Sequence, residues 1–213
     1  MPTPVPGRDC PDCPRLAAFR EANRKAYPDW HNAPVDSFGP TDARLLIVGL
    51  APGLRGANRT SRPFTGDYAG DLLYATLGHF GFATGDYDKR EDDSLELIDC
   101  RITNGVRCVP PENKPIGAEI RACRPFLVAE IESLPRLEII LALGTLAHAT
   151  VLTALDEKRS LWKFGHGAMH DLPGNFLLAN SYHCSRYNTN TGRLTEAMFH
   201  DVFREVCARL SSS

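Results

Sequence analysis

The sequence predicts an α/β fold in which a mainly parallel sheet carries helices on both faces. Three observations support this. Apolar runs of strand length recur at 45–49, 97–102, 137–143 and 176–179. Helical patterns alternate with them at 71–80, 117–133, 145–155 and 195–210. Gly-rich and polar residues concentrate directly after the apolar runs, where an open parallel sheet gathers its ligand-binding loops.

Taken in order, the chain begins with "CPRLAAFREANRKAY", which has helical spacing, followed by a Pro-rich irregular passage over 28–40. "RLLIVGL" supplies the first strand, and "GLAPGLRGANRTSRPFTGD" follows it. That loop is as rich in Gly and Arg as a phosphate-holding loop. It lacks the Lys-Ser or Lys-Thr that closes a P-loop, which argues against a nucleotide hydrolase or transferase. Asp67 ends it, in a favoured N-cap position for the next helix. "GDYDKREDDSLEL" is charge-rich and reads as a solvated surface loop. The remaining strand ends lead into "TNGVRCVPPENKP", "GTLAHA" and "SYHCSRYNTNTGR", and the terminal "SSS" is expected to fray.

A length of 213 residues with 43% hydrophobic composition fits a single domain over 1–213. No run approaches the roughly 18 apolar residues of a membrane span, and "MPTPVPGRDC" has no secretory apolar core, so a soluble cytoplasmic protein is expected. A net charge of -2 argues against coating nucleic acid by bulk electrostatics, while Arg55, Arg59 and Arg62 form a local basic cluster.

The seven cysteines are odd in number and irregularly spaced, so a disulfide framework is not expected. Cys10 and Cys13 form a C-x-x-C pair; Cys108 and Cys123 form a wider one. A tight pair grips a metal from one turn, and a distant pair closes the site and ties the N-terminal segment 1–40 to the body. A redox pair or a coincidence of spacing is the alternative. Zinc and a [4Fe-4S] cluster both accept four thiolates, so the count does not separate them. Cys100 and Cys207 read as small buried hydrophobes. Cys184 adjoins His183, but neighbours on an extended segment point apart, which argues against a nucleophilic pair. His148, His166 and His170 are read as structural.

The motifs "GLAPG" (49–53), "RPFTGD" (62–67), "ITNGVRCVPPENKP" (102–115) and "YHCSRYNTNTGRLT" (182–195), in that order, resemble the uracil-DNA glycosylase superfamily. They look most like its family 5 branch, the iron–sulfur UDGb-type enzymes of bacteria and archaea. The resemblance implies a three-layer α/β/α sandwich with a central four-stranded parallel sheet. It also implies a structural [4Fe-4S] cluster on Cys10, Cys13, Cys108 and Cys123. The implied activity is hydrolysis of the bond between uracil and deoxyribose in DNA, leaving an abasic site. Deaminated purines such as hypoxanthine are further candidate substrates. The implied protein acts as a monomer on nucleoid DNA.

Such an enzyme takes the base out of the stack and holds its edge and face in a pocket. On this reading Phe64 stacks on the base, and the Asn104 amide both donates to and accepts from a pyrimidine edge. Their plain alternatives are a core Phe and a turn or cap Asn. Gly49 and Ala51 belong to the same base-binding loop. Bond cleavage puts negative charge on the departing base, which His183 is suited to stabilise through a base carbonyl. The loop position that orients water in many relatives is here the methyl group of Ala51. Asp67 is therefore the candidate for polarising water, and Asn113 is a second candidate beside it. Gly49, Gly53 and Gly56 are read as letting backbone approach phosphate or sugar. Arg55, Arg59 and Arg62 steer the DNA backbone, while Ser185, Arg186 and Tyr187 enter the duplex where the base has left. A Cys at 184, where His-Pro-Ser is more familiar, alters the shape of that loop. A DNA-lesion-binding Fe–S or zinc module that cuts nothing is the competing reading.

Overall fold

The computed structural model describes residues 4–211; Met1 to Thr3, and Ser212 and Ser213 of the expected frayed tail, lie outside them. In chain order the elements are α1 (Pro14–Ala26), β1 (Leu45–Gly49), α2 (Ala57–Thr60), α3 (Tyr68–His79), β2 (Ala83–Thr84), β3 (Glu96–Leu97) and β4 (Cys100–Asn104). A 3-10 turn (Pro111–Asn113) is followed by α4 (Gly117–Glu132), β5 (Ile139–Leu143), α5 (Thr145–Ala154), β6 (Met169–Leu172), β7 (Phe176–Ser181), α6 (Arg186–Asn190) and α7 (Glu196–Ser211).

The main sheet has the order β4-β1-β5-β7-β6. β4, β1, β5 and β7 are parallel, as expected, and β6 adds a fifth, antiparallel strand at the edge. Side chains alternate across the sheet, and both faces are buried, which is why the strands read as unbroken apolar runs. Leu45, Ile47, Ile102 and Leu141 pack under α3 and α7 through Leu73, Leu77, Phe199 and Phe203. Leu46, Val48, Ile140 and Leu178 face α4 and α5 through Leu127, Ile131 and Val151. The result is the expected three-layer α/β/α sandwich.

Several elements depart from the sequence reading, two of them in the strands at the edges of the main sheet. The run at 97–102 is broken into β3 and β4, because Asp99 adopts φ +52 and accepts hydrogen bonds from Arg44 N and Nε at 2.9 and 2.7 Å. β6 has too little apolar character to register as a strand on its own. It is set against β7 by a tight turn in which Gly174 and Asn175 take φ +85 and +65.

The passage over 28–40 is a strap laid beside β4. Phe38 bridges Ile102 through two backbone hydrogen bonds, and Val35 N donates to Arg107 O at 2.8 Å. A buried network secures it: Arg107 reaches Ser37 Oγ at 2.8 Å and Glu130 Oε2 at 2.9 Å, and Arg101 closes on the other Glu130 oxygen. Burial alone would raise the Glu130 carboxyl. The hydrogen bonds from Arg101 and Ser37 and the charge of Arg107 outweigh burial and hold it below the usual carboxylate range.

Candidate active site

The carboxyl ends of β1, β4 and β7 open into a cavity of about 670 Å³, lined by Ala51, Phe64, Asp67, Asn104, Asn113 and His183 among others. The parallel sheet accounts for the gathering, since all its strands deliver their following loops to one end. Gly49 and Asn104 are register partners across β1 and β4. Asn104 is 3% exposed and its amide takes no hydrogen bond from the protein among the described residues, so it is left for whatever enters the cavity.

Phe64 is buried and held at φ +55, a conformation that a bulky side chain rarely adopts and that costs about 1–3 kcal/mol. Its carbonyl accepts from Tyr87 Oη at 3.2 Å. Gly70 lets the first turn of α3 lie against that carbonyl, because any Cβ there would overlap it. The Phe64 ring lies 6.0 Å from the His183 ring at an interplanar angle of 29°.

Asp67 is the N-cap of α3. Its Oδ1 accepts from Ala69 N at 3.1 Å and from Gly70 N at 3.4 Å. Oδ2 makes no hydrogen bond to the described residues and lies against Gly53 and Gly56. Burial raises the Asp67 carboxyl above its ordinary value; the Gly70 and Ala69 N–H groups and the nearby His183 offset part of the rise. Burial lowers His183 below its ordinary value against the opposing pull of Asp67, so the imidazole is neutral at pH 7.

The glycines of the loop lie against the side chains of the site. A Cβ at Gly49 would lie 2.5 Å from Asn104 Oδ1 and 2.7 Å from Phe64 Cζ; one at Gly53 would lie 2.9 Å from Asp67 Oδ2, and one at Gly56 would overlap that oxygen. These glycines open space for the site's own side chains. Asn113 is exposed at the cavity mouth with φ +56, and its Oδ1 accepts from Leu54 N at 3.2 Å, which pins the 3-10 turn to the loop after β1.

Arg62 departs from the sequence reading. It is 4% exposed, its guanidinium donates two hydrogen bonds of 2.7 Å to Asp93, and Nε reaches Thr65 Oγ1 at 2.8 Å. Phe38, Tyr74 and Tyr87 surround it with ring centroids at 5.1, 5.5 and 5.7 Å. It forms a buried structural ion pair, unlike the exposed cation that the sequence suggests. Arg55 and Arg59 are exposed, and only Arg55 lines the main cavity. Ser185 caps α6 by accepting from Asn188 N at 3.4 Å, Arg186 lies over the Tyr68 ring at 5.4 Å, and Tyr187 is 72% exposed. Cys184 is buried, with its thiol on Ala69 O at 3.4 Å; burial pushes that thiol up to about 12, so it is no nucleophile. Tyr68 lines the cavity although the sequence reading passed over it; its only signal was an aromatic directly after the capping Asp. His148 is structural, bonded to Asn180 Oδ1 at 2.7 Å and Trp162 O at 2.9 Å.

Cys10, Cys13, Cys108 and Cys123 line one common pocket between α1, α4 and the segment after β4, and all are free thiols. Among the described residues no three His, Cys, Asp or Glu side chains converge closely enough to hold a single metal ion. N–H donors nonetheless point at the sulfurs. Arg107 N lies 3.3 Å from Cys123 Sγ, and Arg20 Nη1 lies 3.8 Å from Cys108 Sγ. Arg20 is 4% exposed and its Nε has no partner. Burial holds these thiols protonated, with Cys13 at about 11 and Cys123 at about 12. Buried donors aimed at sulfur, with a further buried Arg20 N–H left unpartnered, suit an anionic sulfur-bound group rather than four neutral thiols.

The family model described as the uracil DNA glycosylase superfamily matches residues 37–207. The type-5 uracil-DNA glycosylase of Thermus thermophilus is 44% identical over 202 residues, covering 92% of this chain and 91% of that protein. Type-5 enzymes of Mycobacterium tuberculosis and Pyrobaculum aerophilum are 41% and 37% identical over 204 residues each, covering 92% and 94% of this chain and 76% and 88% of theirs.

Proposed function

Because this chain belongs to the uracil-DNA glycosylase superfamily, and within it to the type-5 branch, we propose that it hydrolyses the N-glycosidic bond of uracil in DNA and so starts base excision repair. The observation that carries this reading is the convergence of Phe64, Asn104, Asp67 and His183 on one cavity. The flipped uracil stacks on Phe64 and pairs its edge with the Asn104 amide. As the C–N bond breaks, its electron pair leaves with the base. Neutral His183 donates a hydrogen bond to a uracil carbonyl, where negative charge accumulates. Oδ2 of Asp67, free of the capping bonds that hold Oδ1, faces the sugar and accepts the proton of the water that adds to C1′. The departing base takes a proton from solvent. Asn113 helps to seat the water at the cavity mouth. Arg55 and Arg59 meet the DNA backbone, and Ser185, Arg186 and Tyr187 fill the gap left in the duplex. Hypoxanthine is a further substrate on this reading, and the protein works as a monomer on the nucleoid of a bacterial or archaeal cytoplasm.

The residues of the cysteine pocket fit a [4Fe-4S] cluster held by Cys10, Cys13, Cys108 and Cys123. Its contribution is structural, tying segment 1–40 to the rest of a single domain, and hydrolysis requires no electron from it. The expected preparation is brown, with iron and acid-labile sulfide in equal amounts; colourless, iron-free protein from anaerobic purification would overturn the cluster.

The decisive assay is alkali-dependent strand cleavage of duplexes containing one uracil or one hypoxanthine, in EDTA, for wild type, Asp67→Asn and His183→Ala. Cleavage that needs alkali and falls at least about 100-fold in both variants supports the mechanism. Absence of cleavage by cluster-loaded wild type would leave a binding module instead, and undiminished Asp67→Asn activity would move water activation to Asn113.

A further inference from the structure

Beside the catalytic cavity runs a second groove of about 320 Å³, lined by Tyr27, Trp30, Arg55, Arg59 and Gly66. It shares Arg55 and Gly66 with the first, so the two adjoin. Tyr27 and Trp30 stack face to face, with centroids 3.9 Å apart and planes within 8°, yet Tyr27 remains 38% exposed. Arg55 and Arg59 are exposed and join no ion pair among the described residues. Asp29, in the same turn, does not line the groove. An aromatic face flanked by two unpaired cations matches the chemistry of a base and its phosphate.

The groove is built rigidly. Asn32 is fully buried and held at φ +44. Its Nδ2 donates to Tyr27 O at 2.6 Å and Trp30 O at 3.3 Å, and its Oδ1 accepts from Asn58 Nδ2 at 2.9 Å. His31 N and Asn32 N donate to Arg59 O and Asn58 O at 3.2 and 3.1 Å. The aromatic stack and the Arg59-bearing α2 are thus one body, and α2 belongs to the same loop as the catalytic cavity. A buried amide pair and a left-handed Asn are more than an exposed turn needs for folding alone.

We propose that this groove is a second nucleotide subsite, seating a base of the lesion-bearing strand that adjoins the flipped nucleotide, with its phosphate on Arg59 and Arg55. The proposal rests on the glycosylase reading for the identity of the strand. Stacking on Trp30 holds the strand open beside the cavity, so the flipped nucleotide is presented from an already unstacked neighbour.

The test uses Trp162→Phe, which leaves Trp30 as the only tryptophan of the two in the chain, and a duplex bearing a tetrahydrofuran abasic analogue that is bound but not cut. Titration is expected to quench Trp30 fluorescence. Trp30→Ala, Tyr27→Ala and Arg59→Ala should each weaken binding about tenfold, with the melting temperature monitored and Trp30→Phe restoring affinity. Ending the lesion strand at the abasic analogue, with no nucleotide beyond it on the relevant side, should remove both the quenching and the sensitivity to substitution. Wild-type affinity in Trp30→Ala with unquenched Trp30 would overturn the subsite, and loss of quenching only on shortening the complementary strand would overturn the strand assignment. Uracil excision by wild type is measured separately. Excision with no Trp30 effect removes the subsite alone, whereas Trp30 quenching without excision removes the glycosylase reading and leaves the groove as a DNA site.

Discussion

Gly49→Ala tests whether the loop after β1 is shaped around its own side chains. Gly49 ends a regular strand, so the backbone accepts alanine there, and what matters is the space. The added Cβ would lie 2.5 Å from Asn104 Oδ1 and 2.7 Å from Phe64 Cζ. Ordinary contact begins near 3.4 Å, so the amide must retreat by about 0.9 Å and the ring by about 0.7 Å. Overpacking of this kind costs about 1–3 kcal/mol, and the stiffer unfolded chain returns about 0.4–1 kcal/mol. The net loss, up to about 2.6 kcal/mol, lowers the melting temperature of a chain of this size by up to about 10 °C. The effect on chemistry is larger, since misplacing a substrate-holding group by about 1 Å costs on the order of 100-fold in rate. Single-turnover excision from a uracil duplex, run beside a thermal melt, separates the two. Excision within about twofold of wild type would refute the claim that Gly49 makes room for the base-holding pair.

Three further outcomes are expected. The proposed mechanism needs Asp67 ionised and His183 neutral; burial moves the first upward from 3.8 and the second downward from 6.5, so kcat should fall through an acid limb that lies above 3.8, and a His183 ring signal titrating above 6.5 would sink the neutral imidazole. Arg62→Met strands Asp93 in the interior, so it should cost about 3–5 kcal/mol of stability while leaving DNA affinity unchanged at temperatures where the variant is folded, and a selective loss of affinity would restore Arg62 to the DNA face. Arg62 holds the Asp93 carboxyl at about 2 despite burial, so the pair's contribution is complete above 3.8 and drains away as pH falls through about 2. Tyr187→Ala should weaken binding of abasic product by about 5- to 100-fold with no change in melting temperature, and unaltered binding would remove Tyr187 from the DNA contact.

The four parallel strands were legible because burial on both faces forces continuous apolar runs, and the site loops were legible because a parallel sheet puts all of them at one end. β6, α2 and α6 were not, since these elements of four or five mostly polar residues offer neither a continuous apolar run nor enough side chains to establish a period. Asp67 and His183 stood out through their motifs. The role of Arg62 was hidden because its partner Asp93 is 31 residues away along the chain. The glycines suggested phosphate because their small size is visible in a sequence, while the Asn104, Phe64 and Asp67 atoms that fill the freed space are not. Tyr27 and Trp30 disappeared into a helical pattern and a Pro-rich passage, because their value depends on the contact between Asn32 and Asn58.

The strap beside β4 also bears on how the chain is made. Ser37 leaves the ribosome well before Glu130, its partner 93 residues later, exists. At about 5–20 residues per second the strap waits roughly 5–20 s with Trp30 and Phe38 uncovered and the first two cysteines without the other pair. Proline at 28, 34 and 40 denies this waiting segment the extended hydrogen-bonding run that aggregation recruits. The same prolines that leave the passage without regular structure keep it soluble until its place beside the sheet has been synthesised.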